Sequence, residues 1–516
     1  MLQVILFNVK LNSGSLPMYP NKVVIAGGGT SGWMSACLLQ HSWPKAQITL
    51  IESSNIGTIG VGEGSTPYLK QFFKKLNIAE HEWMSSCNAT YKSGIEFPNW
   101  SEIPEYKSYF HPFFSPLDIE TGELFFNMAN EQSRGERRNA HPDYYFINTQ
   151  IAQKCKAPIS ETYQNLDIDY GYHFDAGLLA SFLKKKCLEH GLINIIDDVN
   201  EVELSESGEV SALVTINNGN LAADLFIDCT GFSGLLIQKA LNSKFISFKD
   251  NLFNDSAVAI QTPKDSNTPI ISSTRSTALS SGWAWEIPLT NRYGNGYVYS
   301  SDFISAKQAE QELKEHLNIS DQEDIKVKHL KMKVGRIEKH WHKNCLAIGL
   351  SQGFIEPLEA TSLMLVQFTL EEFIEQYTTG KKQVSQQKLF NDKVNNMIEG
   401  VRDYIVTHYK VNSKSNSAYW KKCRENTNIS TNLSALLNAW GNPEKFEEEL
   451  EKQEDSLSYL RPSWYVILAG MGLYPEEALK HNNDLTHHAQ AQEYCVKVVD
   501  EIFPDHREYL NRFSAL

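Results

Sequence analysis

The chain lacks several features that would assign it to a class at once. No apolar run approaches the roughly 18 residues that a membrane-spanning helix needs, so a membrane protein is not expected. There is no basic excess either. Lys and Arg number 48 against 62 Asp and Glu, a net charge of −14, whereas a nucleic-acid binder presents a basic face. None of the eight cysteines (Cys37, Cys87, Cys155, Cys187, Cys229, Cys345, Cys423, Cys495) forms a CxxC pair. A disulfide framework or a zinc site therefore has no support, and reduced thiols in the cytoplasm are the expectation. The opening MLQVILFNVK is apolar but short, without a basic leader or a small-residue cleavage site, so residues 1–20 read as a loose N-terminal extension and not as a signal peptide. His340, His342, His487 and His488 have no carboxylate or thiolate partners at ligand spacing, and no metal is expected. No internal repeat is visible.

What remains is an ordinary globular mix, 41% hydrophobic and 21% charged, in 516 residues. That length suits about two to four domains or one large unit with an ample core. Lys22 to Ala26 is a short β-branched run, a buried parallel strand by pattern. Glycines follow, a helix is predicted over Trp33 to Gln40, and a second strand, QITLIES, carries Glu52 near its end. Helical segments are predicted at Pro67–Leu76 and Glu80–Ala89, then a polar, aromatic-rich stretch covers 97–170. Asp175 is placed to cap the next helix and Gly191 to close it. Residues 194–231 read as a β-meander, the 278–305 region is strand-rich, and helical patterns dominate from Ser362. Polar breaks fall near Thr378–Gln387 and Asn412–Ser417. Tracts such as EKFEEELEKQEDS read as solvated helix surface.

Gly27-x-Gly29-x-x-Gly32 lies between the first strand and the first helix, and Glu52 follows Gly32 by twenty residues. The first glycine allows a tight turn, the second lets backbone approach a pyrophosphate, and the third packs helix on strand. The helix N-terminus, opening with Thr30 and Ser31, then faces the phosphates, and the acid accepts ribose hydroxyls. A late strand-then-glycine segment, Asp224–Gly231, repeats the idea as two-part FAD folds do, and NCLAIGL (Asn344–Leu350) leads towards Gly353. No second intact GxGxxG exists for a nicotinamide, so FAD alone is expected.

GWAWEIPL (Gly282–Leu289) contains W-x-W-x-I-P at Trp283, Trp285, Ile287 and Pro288. Further stretches are GVGEGSTP (60–67), CNATYKSGIEFPNW (87–100), YHFDA (172–176), DLFIDCTGFSGLLI (224–237) and NCLAIGLSQGFIEPLEATS (344–362). In kind and order this set resembles the flavin-dependent halogenases of the tryptophan-halogenase family, from about Lys22 to about His408. On their own, two tryptophans two residues apart on a strand face one side and read as core aromatics. The resemblance places Trp283 and Trp285 beside the flavin. It matches Lys92 to the catalytic lysine, which either hydrogen-bonds hypohalous acid or forms a haloamine. It matches Glu359, in preference to its neighbour Glu356, to the catalytic acid. Halide is expected on the backbone amides of Thr361 and Ser362. Val202, Leu350 and Leu363 join the cofactor contacts. Ala360 departs from the family, which commonly has a serine there.

His111 and Phe113 resemble the family's aromatic-pocket residues. The stretch 438–470, where members acting on free tryptophan carry indole-sandwiching aromatics, is charged here, and only Trp464 and Tyr465 are equivalents. A broader or larger indole-type substrate is therefore expected. The predicted fold is α/β, a two-part Rossmann-like FAD module (aromatic-hydroxylase-like) over 21–365 with a mostly helical substrate-binding module over 366–516. The predicted reaction uses FADH2, oxygen and halide to halogenate a small electron-rich aromatic, with reduced FAD from a separate NAD(P)H-dependent flavin reductase and homodimerisation left open. Two alternatives stand beside it: a single-component flavin aromatic hydroxylase and a non-catalytic flavin-binding protein.

Overall fold

The computed structural model describes residues 19–513 except 56, 58–61, 164–165, 266, 321–324, 379–383, 455 and 481–485. Most of the expected N-terminal extension, Gly60 and Val61 of the GVGEGSTP stretch and part of the polar break after Thr378 thus lie outside the described residues.

The strand Lys22–Ala26 is buried at four of its five positions because both its neighbours and both its faces are covered. It is flanked by Gln47–Glu52 and Leu225–Asp228, both parallel to it, with Val23 opposite Ile48 and Leu225. Ile193–Ile196 extends this six-stranded sheet on one side, and Cys345–Ala347 with antiparallel Trp341–His342 completes it on the other. The meander expected over 194–231 is therefore corrected. Only Val199–Leu204, Val210–Thr215 and Asn220–Ala222 form an antiparallel set, while the strands before and after belong to the parallel sheet. Leu225–Asp228 is buried throughout, which a solvent-facing meander strand would not be.

A second sheet of seven strands runs in the order Val327–Lys331, Ser256–Pro263, Arg292–Tyr299, Gly282–Pro288, Ser273–Leu279, Gly94–Pro98, Ser108–Pro112. It is antiparallel except where Ser273–Leu279 meets Gly94–Pro98. A small sheet sets Gly171–Phe174 between Glu63–Gly64 and Thr90–Lys92, which carries Lys92 up to Gly64. The stretch 97–170 holds more regular structure than its polarity suggested. Helix Ile119–Ser133 buries Phe125, Phe126 and Ala129, with Gly122 and Asn127 interrupting the apolar periodicity.

The helix Ser362–Thr378 packs against Thr30–Ser42, with Trp43 set 5.4 Å from Tyr377 and 6.2 Å from Phe373. No strand follows Phe354 among the described residues. One apolar cluster runs from Val23 to Leu510, so the late helices share the core of the early sheet. Among the described residues no helix is long and apolar enough to cross a membrane, no metal-ligating cluster exists, and all eight cysteines are free.

Candidate active site

The glycine turn opens a cavity of about 760 Å³, of the size small-molecule sites occupy. Gly27 adopts φ +112°, and a Cβ there would sit 2.2 Å from the Cys229 carbonyl oxygen. A Cβ on Gly28 would meet the Glu52 carboxylate at 1.8 Å, and one on Gly32 the Gly27 carbonyl at 1.9 Å. Gly29 differs, since a Cβ there meets nothing within 4 Å and would project into open space. It is also the N-cap of Thr30–Ser42, without a side-chain cap, so the first-turn amides keep their donors for a ligand. Thr30, Ser31 and Glu52 line the same cavity, and Glu52 pairs with Lys184 at 2.6 Å. Asp228, from the second strand-glycine segment, is buried and accepts the amides of Leu236 and Ile237, tying that turn to the sheet. A cradle only glycine can form, ending at an uncapped helix and an acid, fits the pyrophosphate and ribose of FAD.

Leu350, Thr361, Ser362, Leu363, Trp283 and Trp285 also line the cavity. The tryptophan rings are 6.2 Å apart on one face of their strand. Trp285 lies over Gly296, where a Cβ would strike its ring at 2.1 Å. Trp283 donates its indole N–H to Glu356 at 2.9 Å, and Asn254 and Tyr409 donate to the same oxygen at 2.8 Å each. Burial raises the Glu356 carboxyl above its ordinary range despite these donors. Glu356 is a strut under the tryptophan wall.

Glu359, three residues on, has a different environment. It is also fully buried, yet it is held below the ordinary carboxylate range. Burial opposes its ionisation, but His111, the 2.8 Å hydrogen bond from His408 and Lys92 together outweigh burial. Lys92 is wholly buried at the cavity wall, and its ammonium has no hydrogen-bond partner. Burial lowers it to about 7, partly offset by Glu359. Its nitrogen is 5.4 Å from the Phe113 ring centre. The geometry thus sets a lysine near neutrality against an ionised carboxylate, with Glu356 engaged elsewhere.

His111 is buried and bonds Tyr404 at 2.8 Å, and Tyr404 stacks on Tyr459 at 3.6 Å. Trp464 is also buried, edge-on to Tyr404, its N–H spent on the Tyr459 carbonyl. Phe113 thus lies beside Lys92, His111 acts on Glu359 and Trp464 joins His111 through Tyr404, while none of the three lines the large cavity. Val202, expected as a cofactor contact, is not among the residues lining the cavity. Its strand turns it into a separate apolar cluster, and the cavity wall there is Asp197, Asp198 and Val199. Sequence reasoning missed His408 as the partner of Glu359. The histidine sits in the last turn of Val384–Lys410, 49 residues from its partner, where spacing carries no signal.

A family model described as tryptophan halogenase matches residues 22–487. The 7-chloro-L-tryptophan 6-halogenase of Kutzneria sp. (strain 744) is 35% identical over 96% of this chain and 100% of that protein. The tryptophan 7-halogenase of Lentzea aerocolonigenes is 32% identical over 94% of each chain. A crystal structure of tryptophan halogenase from Shewanella frigidimarina superposes with a TM-score of 0.84 at 30% identity, covering 97% of this chain and 98% of that one. Matched in sequence and fold along nearly its whole length, the chain belongs to the tryptophan halogenase family of flavin-dependent enzymes.

Proposed function

We propose that this enzyme halogenates the ring of an electron-rich, indole-type aromatic, with residues 21–365 as the FAD core and 366–516 packed on it. Bound reduced FAD, with oxygen, supplies the oxidation of halide to hypohalous acid. Gly27, Gly29, Thr30, Ser31, Gly32 and Glu52 would hold the cofactor, with Leu350 and Leu363 along its length. Amides at Thr361 and Ser362, where Ser362–Thr378 begins, suit a halide. Trp283 and Trp285 wall the cavity, so an organic ring meets the oxidant only on the Lys92 side.

Lys92 receives the hypohalous acid. The ring carbon takes the halogen as the O–X bond breaks, the Lys92 ammonium protonates the displaced hydroxide so that it leaves as water, and Glu359 takes the ring proton, whose return to Lys92 resets both groups. The observation carrying this reading is a buried, unpartnered Lys92 beside a buried Glu359 kept ionised. The curated relatives are named for tryptophan, but here the Tyr465 hydroxyl is held by Asn130 at 2.9 Å and by Glu447 at 2.7 Å. Trp464 and Tyr465 are also buried, their rings packed on Tyr404 and on Phe126, Trp440 and Phe446, so neither offers a free face to sandwich indole, which favours a broader or larger indole derivative.

The test supplies reduced FAD from a separate NAD(P)H-dependent flavin reductase, with chloride, bromide or iodide and a panel of indoles and phenols. A halogen mass shift is expected. Absence of product with every halide and ring overturns the reading, and rapid NAD(P)H consumption without reductase would favour a hydroxylase.

A further inference from the structure

Three groups that line the cavity converge on one small space. A Cβ built on Gly64 would lie 3.5 Å from the Lys92 nitrogen, 3.5 Å from Thr274 Oγ1 and 3.6 Å from the Ala360 methyl. The space is therefore bounded by a cationic donor, a hydroxyl and an apolar wall. It exists because position 64 carries no side chain, although the strand backbone there does not require glycine.

The role of the hydroxyl follows from a chain of hydrogen bonds. Thr90 Oγ1 lies 2.7 Å from the Pro288 carbonyl oxygen, which only accepts, so the Thr90 hydrogen goes there. His173 Nδ1 lies 3.1 Å from the same Thr90 oxygen and must then donate to it. His173 is wholly buried and kept neutral, first by burial and then by Lys92, so its Nε2 carries a lone pair. Thr274 Oγ1, 2.9 Å away, donates its hydrogen to that lone pair. Thr274 therefore turns only lone pairs towards the space beside Lys92.

We propose, resting on the halogenation reading above, that the cavity beside Gly64 is the seat of the hypohalous acid, with Thr274 accepting its O–H while Lys92 binds it as a second contact. Two-point binding orients the halogen, which a single ammonium cannot do, and His173 is the positioning residue that makes Thr274 an acceptor. The Ala360 methyl offers no competing hydrogen bond at the third side.

The experiment supplies reduced FAD, oxygen, bromide and an indole, together with a soluble 1,3-diketone that traps escaping oxidant. Its readout is the ratio of halogenated indole to halogenated trap, which is independent of how much enzyme is loaded. Thr274→Val removes the acceptor with little change of shape, and the ratio should fall about tenfold, the value of one lost hydrogen bond. Thr274→Ser should restore it. Gly64→Ala places a methyl in the space at ordinary contact distances, so the chain folds and the ratio collapses towards the trap. An unchanged ratio in both Thr274→Val and Gly64→Ala overturns the site, and Thr274→Ser behaving like Thr274→Val overturns the hydroxyl's part. Wild type yielding neither product nor halogenated trap with any halide overturns the halogenation reading itself.

Discussion

His408 Nε2 meets Glu359 Oε1 at 2.8 Å, with neither side chain more than 4% exposed. Facing a carboxylate, that nitrogen donates. The other ring nitrogen lies 3.1 Å from Tyr109 Oη, and Phe97 packs on the ring with centroids 4.6 Å apart, so the imidazole has one orientation. Together with His111 and Lys92, the His408 hydrogen bond keeps this buried acid ionised against the cost of burial.

Replacing His408 by Phe should lower kcat by about ten- to a hundredfold, with little change in FAD affinity. The pH profile supplies the sharper check. Glu359 is held low, so activity that needs its carboxylate persists until the pH falls well into the acid range. Without the His408 donor its pKa rises, and the acid limb of kcat/KM moves to higher pH. His408→Gln, which keeps an N–H donor, should move it less.

Glu356 and Glu359 separate stability from chemistry. Glu359→Gln should abolish product while shifting Tm by only a few degrees. Glu356→Ala leaves Trp283, Asn254 and Tyr409 as buried donors without their acceptor, and should destabilise the fold by roughly 2–4 kcal/mol. Thermal unfolding alongside single-turnover assays reads both. Equal activity loss and equal Tm shifts in the two variants would remove the distinction.

Lys92 imposes a stability cost with a defined pH dependence. Burial drops its pKa from 10.5 to about 7, so between these values the unfolded chain holds the extra proton and stability rises with pH. Below about pH 7 both states are charged and the full cost, up to about 5 kcal/mol, is present. Lys92→Met should therefore abolish halogenation yet raise Tm, more at pH 6 than at pH 9. A Tm gain independent of pH would show that the ammonium is not strained by burial.

The glycine cradle yields a paired test of cofactor binding. Gly28→Ala drives a methyl into the Glu52 carboxylate and should lower both Tm and FAD affinity. Gly29→Ala meets no protein atom, so Tm should stay within a few degrees while fluorescence titration shows FAD binding weakened about tenfold or more. Unaltered FAD affinity in Gly29→Ala would place the pyrophosphate elsewhere.

What could be read from the chain alone was whatever physics keeps local. The absence of long apolar runs, paired cysteines and basic excess removed whole classes. The glycine turn between strand and helix, the Asp175 cap and the Trp283/Trp285 alternation are short-range consequences of backbone and pleat, and Asp175 does accept the Gly177 and Leu178 amides. Lys92 and Glu359 were legible only through resemblance, because nothing local distinguishes a buried lysine from a solvated one. Tertiary structure decided the rest. It sent Ile193–Ile196 and Leu225–Asp228 into the parallel sheet, turned Val202 away from the cavity and gave Glu356 and Glu359 opposite surroundings. It also joined His408 to Glu359 and His173 to Thr274, across separations of 49 and 101 residues. A carboxylate's pKa and a hydroxyl's direction are properties of neighbours brought together by folding, and no spacing in the sequence encodes them.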